Sequence, residues 1–210
     1  MDDSELLRYS RQIMLPEIDV LGQEKLRSAS ALILGLGGLG SPVAFYLAAS
    51  GIGSLVLADD DRVEISNLQR QIIHNHDNIG RNKASSAQLT LKKLNPSVET
   101  KVIQHRMSSK ELMKQVESVN LVIDCCDNLE TRQLINEICW KNKRPLISGA
   151  AIRWEGHIST FDSSNPESPC YRCLYPDENN GTNLSCSENG VVSPLVGIIG
   201  TIQAMEAIKL

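Results

Sequence analysis

Residues 31–40, ALILGLGGLG, decide the fold of this chain, because an apolar run ends there in closely spaced glycines. The run predicts a buried strand, and Ser41-Pro42 with the apolar residues after them predicts the start of a helix. Gly35, Gly37 and Gly40 have the G-x-G-x-x-G spacing, which permits a tight turn and close approach to a ligand. A helix N-terminus offers free N–H groups to a phosphate. We therefore expect a nucleotide site at this turn, the alternative being a bare tight turn.

The composition indicates an ordinary globular chain. Its 210 residues suit one α/β domain, and 41% hydrophobic residues are enough for a core. A net charge of −4 favours neither nucleic acid nor an anionic membrane as partner. The charged N-terminus is no signal peptide, and the apolar stretch 191–205 is shorter than the roughly 20 residues of a membrane span. We interpret the chain as cytoplasmic, and its six cysteines as metal-binding or chemical residues rather than a disulfide framework.

Apolar runs and helical patterns alternate along the chain. Strands are predicted at 54–58, 98–104, 121–125, 145–148 and 156–161, and helices at 4–14, 42–50, 81–94, 108–119, 131–142 and 194–210. Residues 163–190 are rich in Pro, Asn, Ser and Glu and are predicted to form a long functional loop. The alternation predicts an α/β fold with a Rossmann-like, doubly wound, mixed sheet and helices on both faces.

Polar residues follow the second strand. Asp59 lies about 20 residues after the last loop glycine, where a carboxylate reaches an adenosine ribose in a Rossmann-type site. The alternative, a solvated turn acid, fits Asp60. Arg70 and Lys83 suggest a bound triphosphate, whose negative charge needs neutralising cations. The alternative is that both are surface cations. The chain has no G-x-x-x-x-G-K-[ST] sequence and is not a P-loop NTPase.

The sequence DCCDN, residues 124–128, follows the fourth predicted strand. An acid at the carboxyl end of a parallel strand lies in the ligand crevice, where a carboxylate close to phosphates usually serves Mg²⁺. Asp127 is a candidate for that role; the alternative is a helix N-cap before Thr131. Cys125 and Cys126 are interpreted as packing residues.

The remaining cysteines and histidines divide into candidates and background. Cys170-Tyr-Arg-Cys173 is half of a four-ligand zinc site, and no second C-x-x-C follows it. Cys186 stands alone in a polar loop, where an idle surface thiol is the alternative. His74 and His76 are interpreted as polar loop residues rather than catalysts. A further cysteine, Cys139, is expected in the core.

Together these features resemble the ThiF/MoeB family, the bacterial relatives of ubiquitin-activating enzymes. The resemblance covers essentially the whole chain, from Arg8 to Leu210. The motifs that carry it are RYSRQI, GLGGLG, LVLADDD, SNLQRQ, the D-N-x-x-x-R of residues 127–132, SGAAIRWEG, CYRCLYPD and GVVSPLVGIIGTIQAMEAIK. It implies a single domain, 1–210, with N-terminal helices at 1–28, a nucleotide-binding core at 29–150 and a carrier-binding and metal-loop part at 151–210.

The resemblance also implies an activity and a set of site residues. Members of the family bind ATP·Mg²⁺ and adenylate the C-terminal glycine of a small ubiquitin-like sulfur carrier. Gly38 and its loop would lie against the nucleotide, Asp59 would hold the ribose, and Arg11 would reach into the neighbouring subunit of a homodimer. Phosphate contacts are implied for Asn67, Arg70 and Lys83, Mg²⁺ binding for Asp127, and further nucleotide contacts for Asp61, Gln69 and Asn128.

One departure from the family pattern and one position that varies across the family limit what is carried over. Family members usually continue to a second C-x-x-C that completes a zinc site, whereas this chain ends at Leu210, so a C-terminal tail is expected to be missing. Cys186 matches a position where some members bond covalently to the activated carrier. The motifs favour a thiamine-pathway (ThiS-type) carrier over a molybdopterin-pathway (MoaD-type) one, with a separate sulfur-transfer enzyme as indirect partner.

Other functions were weighed against this one. An NAD(P)-dependent oxidoreductase would explain the glycine motif but not the cations and Asp127-Asn128. A non-catalytic nucleotide-binding scaffold would not need Arg70, Lys83 and Asp127. A tRNA-modifying relative is disfavoured by the acidic net charge and the lack of a basic stripe.

Overall fold

The computed structural model describes residues 1–176 and 190–210. The helices in that part of the chain are α1 (Asp3–Ile13), α2 (Asp19–Ser28), α3 (Gly40–Ser50), α4 (Lys83–Leu94), α5 (Ser109–Glu117), α6 (Leu129–Lys141), α7 (Tyr171–Leu174) and α8 (Ser193–Lys209). The strands are β1 (Ser30–Leu34), β2 (Ser54–Ala58), β3 (Glu99–Ile103), β4 (Leu121–Asp124), β5 (Leu146–Ile152) and β6 (Glu155–Phe161). Two 3-10 turns, Ile65–Asn67 and His76–Asn78, lie in the segment between β2 and α4.

The six strands form one mixed sheet in the order β3-β2-β1-β4-β5-β6. Strands β1 to β5 pair in parallel, and β6 returns antiparallel to β5. The strand order reverses its direction of growth between β1 and β4, and such a switch point opens a crevice outside the carboxyl ends of the strands. The predicted doubly wound mixed sheet is confirmed.

Two apolar cores lie on opposite faces of the sheet. Ile33, Leu55 and Ile123 belong to one cluster, which also includes residues of α3, α4 and α8. Leu32 and Val122 belong to the other, which includes residues of α5 and α6. Because neighbouring residues of the central strands are buried on alternate faces, these strands appear in the sequence as uninterrupted apolar runs.

Several element ends have identifiable caps. Ser108 and the side chain of Glu111 form the predicted capping box at the start of α5. Gly51 ends α3 with a φ of +85°, in the left-handed region that favours glycine. Strand β5 is longer than predicted, because its pairing with β6 continues through Ala150 to Ile152.

The N-terminal helices pack against the C-terminal end of α3. Gln12 of α1 donates to the backbone oxygen of Ser50 at 3.1 Å, and Gln23 of α2 donates to the same oxygen at 2.8 Å. Asn95 joins this region by donating to the Tyr9 hydroxyl and to the Ala48 carbonyl, both at 2.8 Å. None of the described helices is long and apolar enough to cross a membrane.

Candidate active site

The glycine loop connects β1 to α3 at the switch point of the sheet. Gly35 has a φ of +92°, and a Cβ there would lie 2.8 Å from the Cys125 carbonyl oxygen. A Cβ on Gly38 would lie 2.9 Å from a methyl carbon of Val196 in α8. At Gly37 an added Cβ would meet only ordinary van der Waals contact. The fold itself therefore requires glycine at Gly35 and Gly38, whereas at Gly37 a side chain would find space beside Gln71.

Asp59 directly follows β2 and contacts this loop. Its carboxylate accepts from the backbone N–H of Leu36 at 2.7 Å and from that of Asp61 at 2.9 Å. Burial raises the pKa of the Asp59 carboxyl above its ordinary value, although the Leu36 hydrogen bond and the charge of Lys83 oppose that shift. The Asp59 carboxylate thus holds the glycine loop. It lies where a Rossmann-type site places the carboxylate that binds the ribose.

Lys83 begins α4 and is buried next to the aspartates. Its ammonium group donates to Asp61 Oδ2 at 2.8 Å, and only 9% of its side chain is exposed. The preceding residue, Asn82, caps α4 and donates to the backbone oxygens of Asp59 and Asp61. Asp59, Asp61 and Lys83, which the sequence predicted separately, are therefore held together by one hydrogen-bonded cluster.

The SNLQRQ segment forms a turn whose side chains mostly bond within the protein. Asn67 is buried and accepts from the backbone N–H of Glu64 at 3.0 Å. The half-buried Arg70 donates to the Ser66 carbonyl at 3.1 Å, and Gln69 accepts from the Ser193 hydroxyl of α8. Arg70 thus has no carboxylate partner among residues 1–176 and 190–210, whereas Asn67 and Gln69 already have partners.

Gln71, the last residue of this segment, and His74, just after it, have contacts that the sequence did not indicate. Gln71 is buried, and its Oε1 atom has no hydrogen-bond partner among the described residues. His74 is also buried and bonds to the Leu36 carbonyl and the Ser86 hydroxyl. His74 lies in a loop, as the sequence predicted, but its side chain is buried there, whereas His76 is exposed. The two histidines differ in burial because His74 bonds to Leu36, which is distant in sequence, and local sequence does not show that contact.

Asp127 and Asn128 follow β4 across the crevice. Asn128 Oδ1 accepts from the Thr131 backbone N–H at 2.9 Å, so Asn128 and not Asp127 is the N-cap of α6. The capping alternative for Asp127 is therefore wrong. The Asp127 side chain is exposed, and no hydrogen bond or ion pair joins it to the described part of the chain. It is thus free to bind a ligand or an ion.

A buried ion pair that the sequence analysis did not find lies beneath the Asp127 loop. Arg132 Nη1 lies 3.3 Å from Asp124 Oδ2, and the two side chains are 7% and 1% exposed. The guanidinium also donates to Ser148 Oγ at 3.0 Å, to the Gly149 carbonyl at 2.8 Å and to the Cys126 carbonyl. Arg132 therefore fixes the loop that presents Asp127. The arginine of the D-N-x-x-x-R pattern was the sequence feature that could have indicated this ion pair.

The described cysteines fall into two environments. Burial raises the pKa of the Cys125 and Cys126 thiols well above the ordinary value and raises the pKa of Cys139 to about 12, which fits packing residues. Cys170 and Cys173 have sulfur atoms 3.7 Å apart. Although burial alone would raise it, hydrogen bonds from Asn136 and Cys173 lower the pKa of the Cys170 thiol. Cys186 lies outside the described residues.

Arg11 is remote from the glycine loop of its own chain. It lies on the exposed side of α1, next to Gln12, which is bonded to the last turn of α3. The glycine loop is at the first turn of α3, and an 11-residue helix is roughly 16 Å long. Within one chain, therefore, Arg11 is separated from the glycine loop. Cys170 lies against α6, where it accepts from the Asn136 amide.

Comparisons with known proteins agree with this arrangement. The ThiF family model matches residues 9–210. The sulfur carrier protein ThiS adenylyltransferase of Escherichia coli K12 is 46% identical over 210 residues, which cover all of this chain and 83% of that protein. The molybdopterin-synthase adenylyltransferase of Salmonella typhimurium LT2 is also 46% identical, over 211 residues that cover all of this chain and 84% of that protein.

Solved structures share the same fold. The crystal structure of E. coli MccB with ATP has a TM-score of 0.82 at 25% identity, covering 96% of this chain and 62% of that chain. The structure of PaaA, at 24% identity, has a TM-score of 0.81 and covers all of this chain and 66% of that one. The chain thus spans about two thirds or less of these solved proteins. On the family match, the identity to its relatives and the common fold, this chain belongs to the ThiF family.

Proposed function

We propose that the protein is an adenylyltransferase that uses ATP to activate the C-terminal glycine carboxylate of a small ubiquitin-like sulfur carrier protein. One observation carries the proposal. A glycine loop, the Asp59 carboxylate and the buried Lys83 ammonium meet at the carboxyl ends of β1 and β2, in a chain 46% identical to two carrier-protein adenylyltransferases. An NAD(P)-dependent oxidoreductase has no comparable support among these relatives.

The chemistry suits the side chains present. A carrier carboxylate attacks the α-phosphorus of ATP, forming a C–O–P bond, while the bond to the pyrophosphate oxygen breaks. The carboxylate is ionised at neutral pH, so no general base is needed. The enzyme must align two anions and neutralise the charge that develops on the leaving group. We assign that task to Lys83 and Arg70.

Asp127 is the residue we assign to Mg²⁺. Its carboxylate is exposed and has no partner among the described residues, and carboxylate oxygens are the ligands that Mg²⁺ prefers. When bound, Mg²⁺ would neutralise phosphate charge during the displacement. Asn128, by contrast, is engaged as a helix cap, and its amide oxygen is only partly available.

A homodimer is proposed because Arg11 lies at the far end of α3 from the glycine loop. Tyr9 is buried and Gln12 is bonded to α3, so the helix presents Arg11 outward rather than toward its own site. Large apolar side chains are exposed on the same N-terminal helical segment, among them Leu7, Met14 and Leu21. A second copy placed on this surface would receive Arg11 as an additional phosphate ligand.

The sulfur atoms of Cys170 and Cys173 fit a zinc ion. Two thiolates at about 2.3 Å from one tetrahedral zinc ion would lie about 3.8 Å apart, close to the 3.7 Å between Sγ atoms here. Within residues 1–176 and 190–210, no third cysteine, histidine or acid completes this pair. We assign zinc a structural role, and Cys186 the covalent role that some family members show.

The carrier is proposed to be ThiS-type, with a MoaD-type carrier as the second candidate. The second candidate is favoured by a specific observation: the molybdopterin-synthase relative matches this chain at 46% identity, as the ThiS relative does. We further propose that the protein works in the cytoplasm, where a separate sulfur-transfer enzyme would consume the adenylated carrier. A non-catalytic scaffold is the remaining alternative.

ATP–pyrophosphate exchange tests these proposals. Labelled pyrophosphate should enter ATP only when a carrier is present, and parallel reactions with ThiS-type and MoaD-type carriers would identify the preferred one. Asp127→Ala should abolish exchange without unfolding the chain, whereas Asp77→Ala, at an exposed acid of the His76–Asn78 turn, should not. ATP binding without exchange with either carrier would support the scaffold, and full activity of folded Asp127→Ala would refute the magnesium assignment.

A further inference from the structure

His74 is a buried titratable side chain that the proposed chemistry does not use. Its Nε2 atom lies 3.0 Å from the Leu36 carbonyl oxygen, and its Nδ1 atom lies 2.8 Å from the Ser86 hydroxyl. A carbonyl oxygen can only accept, so Nε2 carries the hydrogen and Nδ1 accepts from Ser86. Burial lowers the pKa of the imidazole below its ordinary value, which favours the neutral ring at neutral pH.

The Leu36 residue is thereby held from both sides. Its N–H donates to Asp59 Oδ2 at 2.7 Å, while its carbonyl accepts from His74. The following peptide bond is trans, and in a trans peptide the N–H points opposite to the carbonyl. The N–H of Gly37 is therefore directed away from buried His74.

The Gly37 N–H has no hydrogen-bond partner in the described part of the chain. Gly37 is only half-buried, and a Cβ added there would find its nearest neighbour, Gln71 Nε2, at 3.5 Å. An unpaired backbone donor at a glycine that precedes the N-terminus of the 11-residue helix α3 is suited to an anion, and in particular to a phosphate group.

We propose that His74 is a positioning residue that turns the Gly37 N–H toward a phosphate group of the bound nucleotide. The inference rests on the proposed function, which supplies the nucleotide. His74 does not touch the phosphate: it holds the Leu36 carbonyl, and Ser86 holds the ring in the required tautomer. The assignment predicts an effect confined to the phosphate part of the ligand, which a general loss of stability would not produce.

Binding of AMP and of adenosine to the full chain, measured by calorimetry, tests the proposal. His74→Leu should weaken AMP binding by roughly tenfold or more, the value of a hydrogen bond to a charged group, and should leave adenosine binding unchanged. His74→Gln retains an N–H that can reach Leu36 and should restore most of the AMP affinity. His76→Leu, at an exposed histidine two residues away, is the matched control and should bind like the wild type.

The outcomes separate this inference from the function on which it rests. Equal weakening of AMP and adenosine by His74→Leu, or no weakening, would overturn the inference while wild-type nucleotide binding and pyrophosphate exchange leave the proposed function intact. A wild-type protein that binds neither ligand would overturn the nucleotide site itself. If His74→Leu does not fold, Ser86→Ala removes the hydroxyl that fixes the tautomer. That variant should weaken AMP selectively, and an equal loss for adenosine would overturn the proposal.

Discussion

Replacing Arg132 with methionine should destabilise the protein by about 3–5 kcal/mol, because it leaves a buried carboxylate without its cation. Asp124 is 1% exposed and would keep only the donors Ser148 Oγ, at 2.7 Å, and the Cys126 N–H, at 2.9 Å. These two bonds place the expected loss toward the lower end of that range. The Gly149 and Cys126 carbonyls would also lose a donor, which favours a loss of no less than about 3 kcal/mol.

Urea unfolding followed by circular dichroism would measure this loss. Lys141→Met, on the same helix, removes an exposed ion pair with Glu137 and should cost no more than about 0.5 kcal/mol. Adding Asp124→Asn to Arg132→Met should destabilise the protein by less than the sum of the two single losses, since the unpaired charge is gone. A loss below about 1 kcal/mol for Arg132→Met would refute the reasoning that this pair is desolvated and mutually dependent.

Three further outcomes are expected. Gly80→Ala, with a φ of +82° and open space around it, should cost about 1–2 kcal/mol, whereas Gly51→Ala should cost more in thermal unfolding, because its Cβ would lie 2.5 Å from the Tyr9 ring. The folded pKa of His74 lies below the ordinary 6.5, so the unfolded chain takes up that proton first. The stability of the wild type relative to His74→Gln should therefore fall as the pH is lowered from about 7 to about 5 in urea titrations, and a constant difference would contradict this. Cys173→Ser should lower the zinc content per chain in elemental analysis, while Cys139→Ser, a core position, should leave the metal content unchanged.

The strands and the glycine loop could be predicted because their cause is local. A strand buried on both faces must be apolar throughout, so Leu121–Asp124 is visible in the sequence as a short apolar run that ends in an acid. Gly35 is required by its own backbone angle, a φ of +92°. In these segments, the residue types alone are enough to indicate the local conformation.

The site details that were missed depend on residues far apart in the chain. His74 appears in a polar segment, and its burial comes from Leu36, 38 residues earlier. Either Asp127 or Asn128 can cap a helix by its chemistry, and only the bond to Thr131 decides between them. The Asp124–Arg132 pair likewise depends on how β4 and α6 meet. Local sequence patterns do not show which distant elements will contact each other.

The position of α8 has a consequence for how the protein matures on the ribosome. Val196 packs against Gly38, and Gly200 leaves room for the Leu39 carbonyl and the Pro42 ring. Gln203 bonds to the Asp124 carbonyl at 2.9 Å. At about 5–20 residues per second, the roughly 160 residues between Gly38 and Val196 take on the order of 8–30 s to synthesise. Throughout that interval the loop lacks its lateral support, so a nascent chain acquires a fully packed glycine-loop crevice only after α8 has been made.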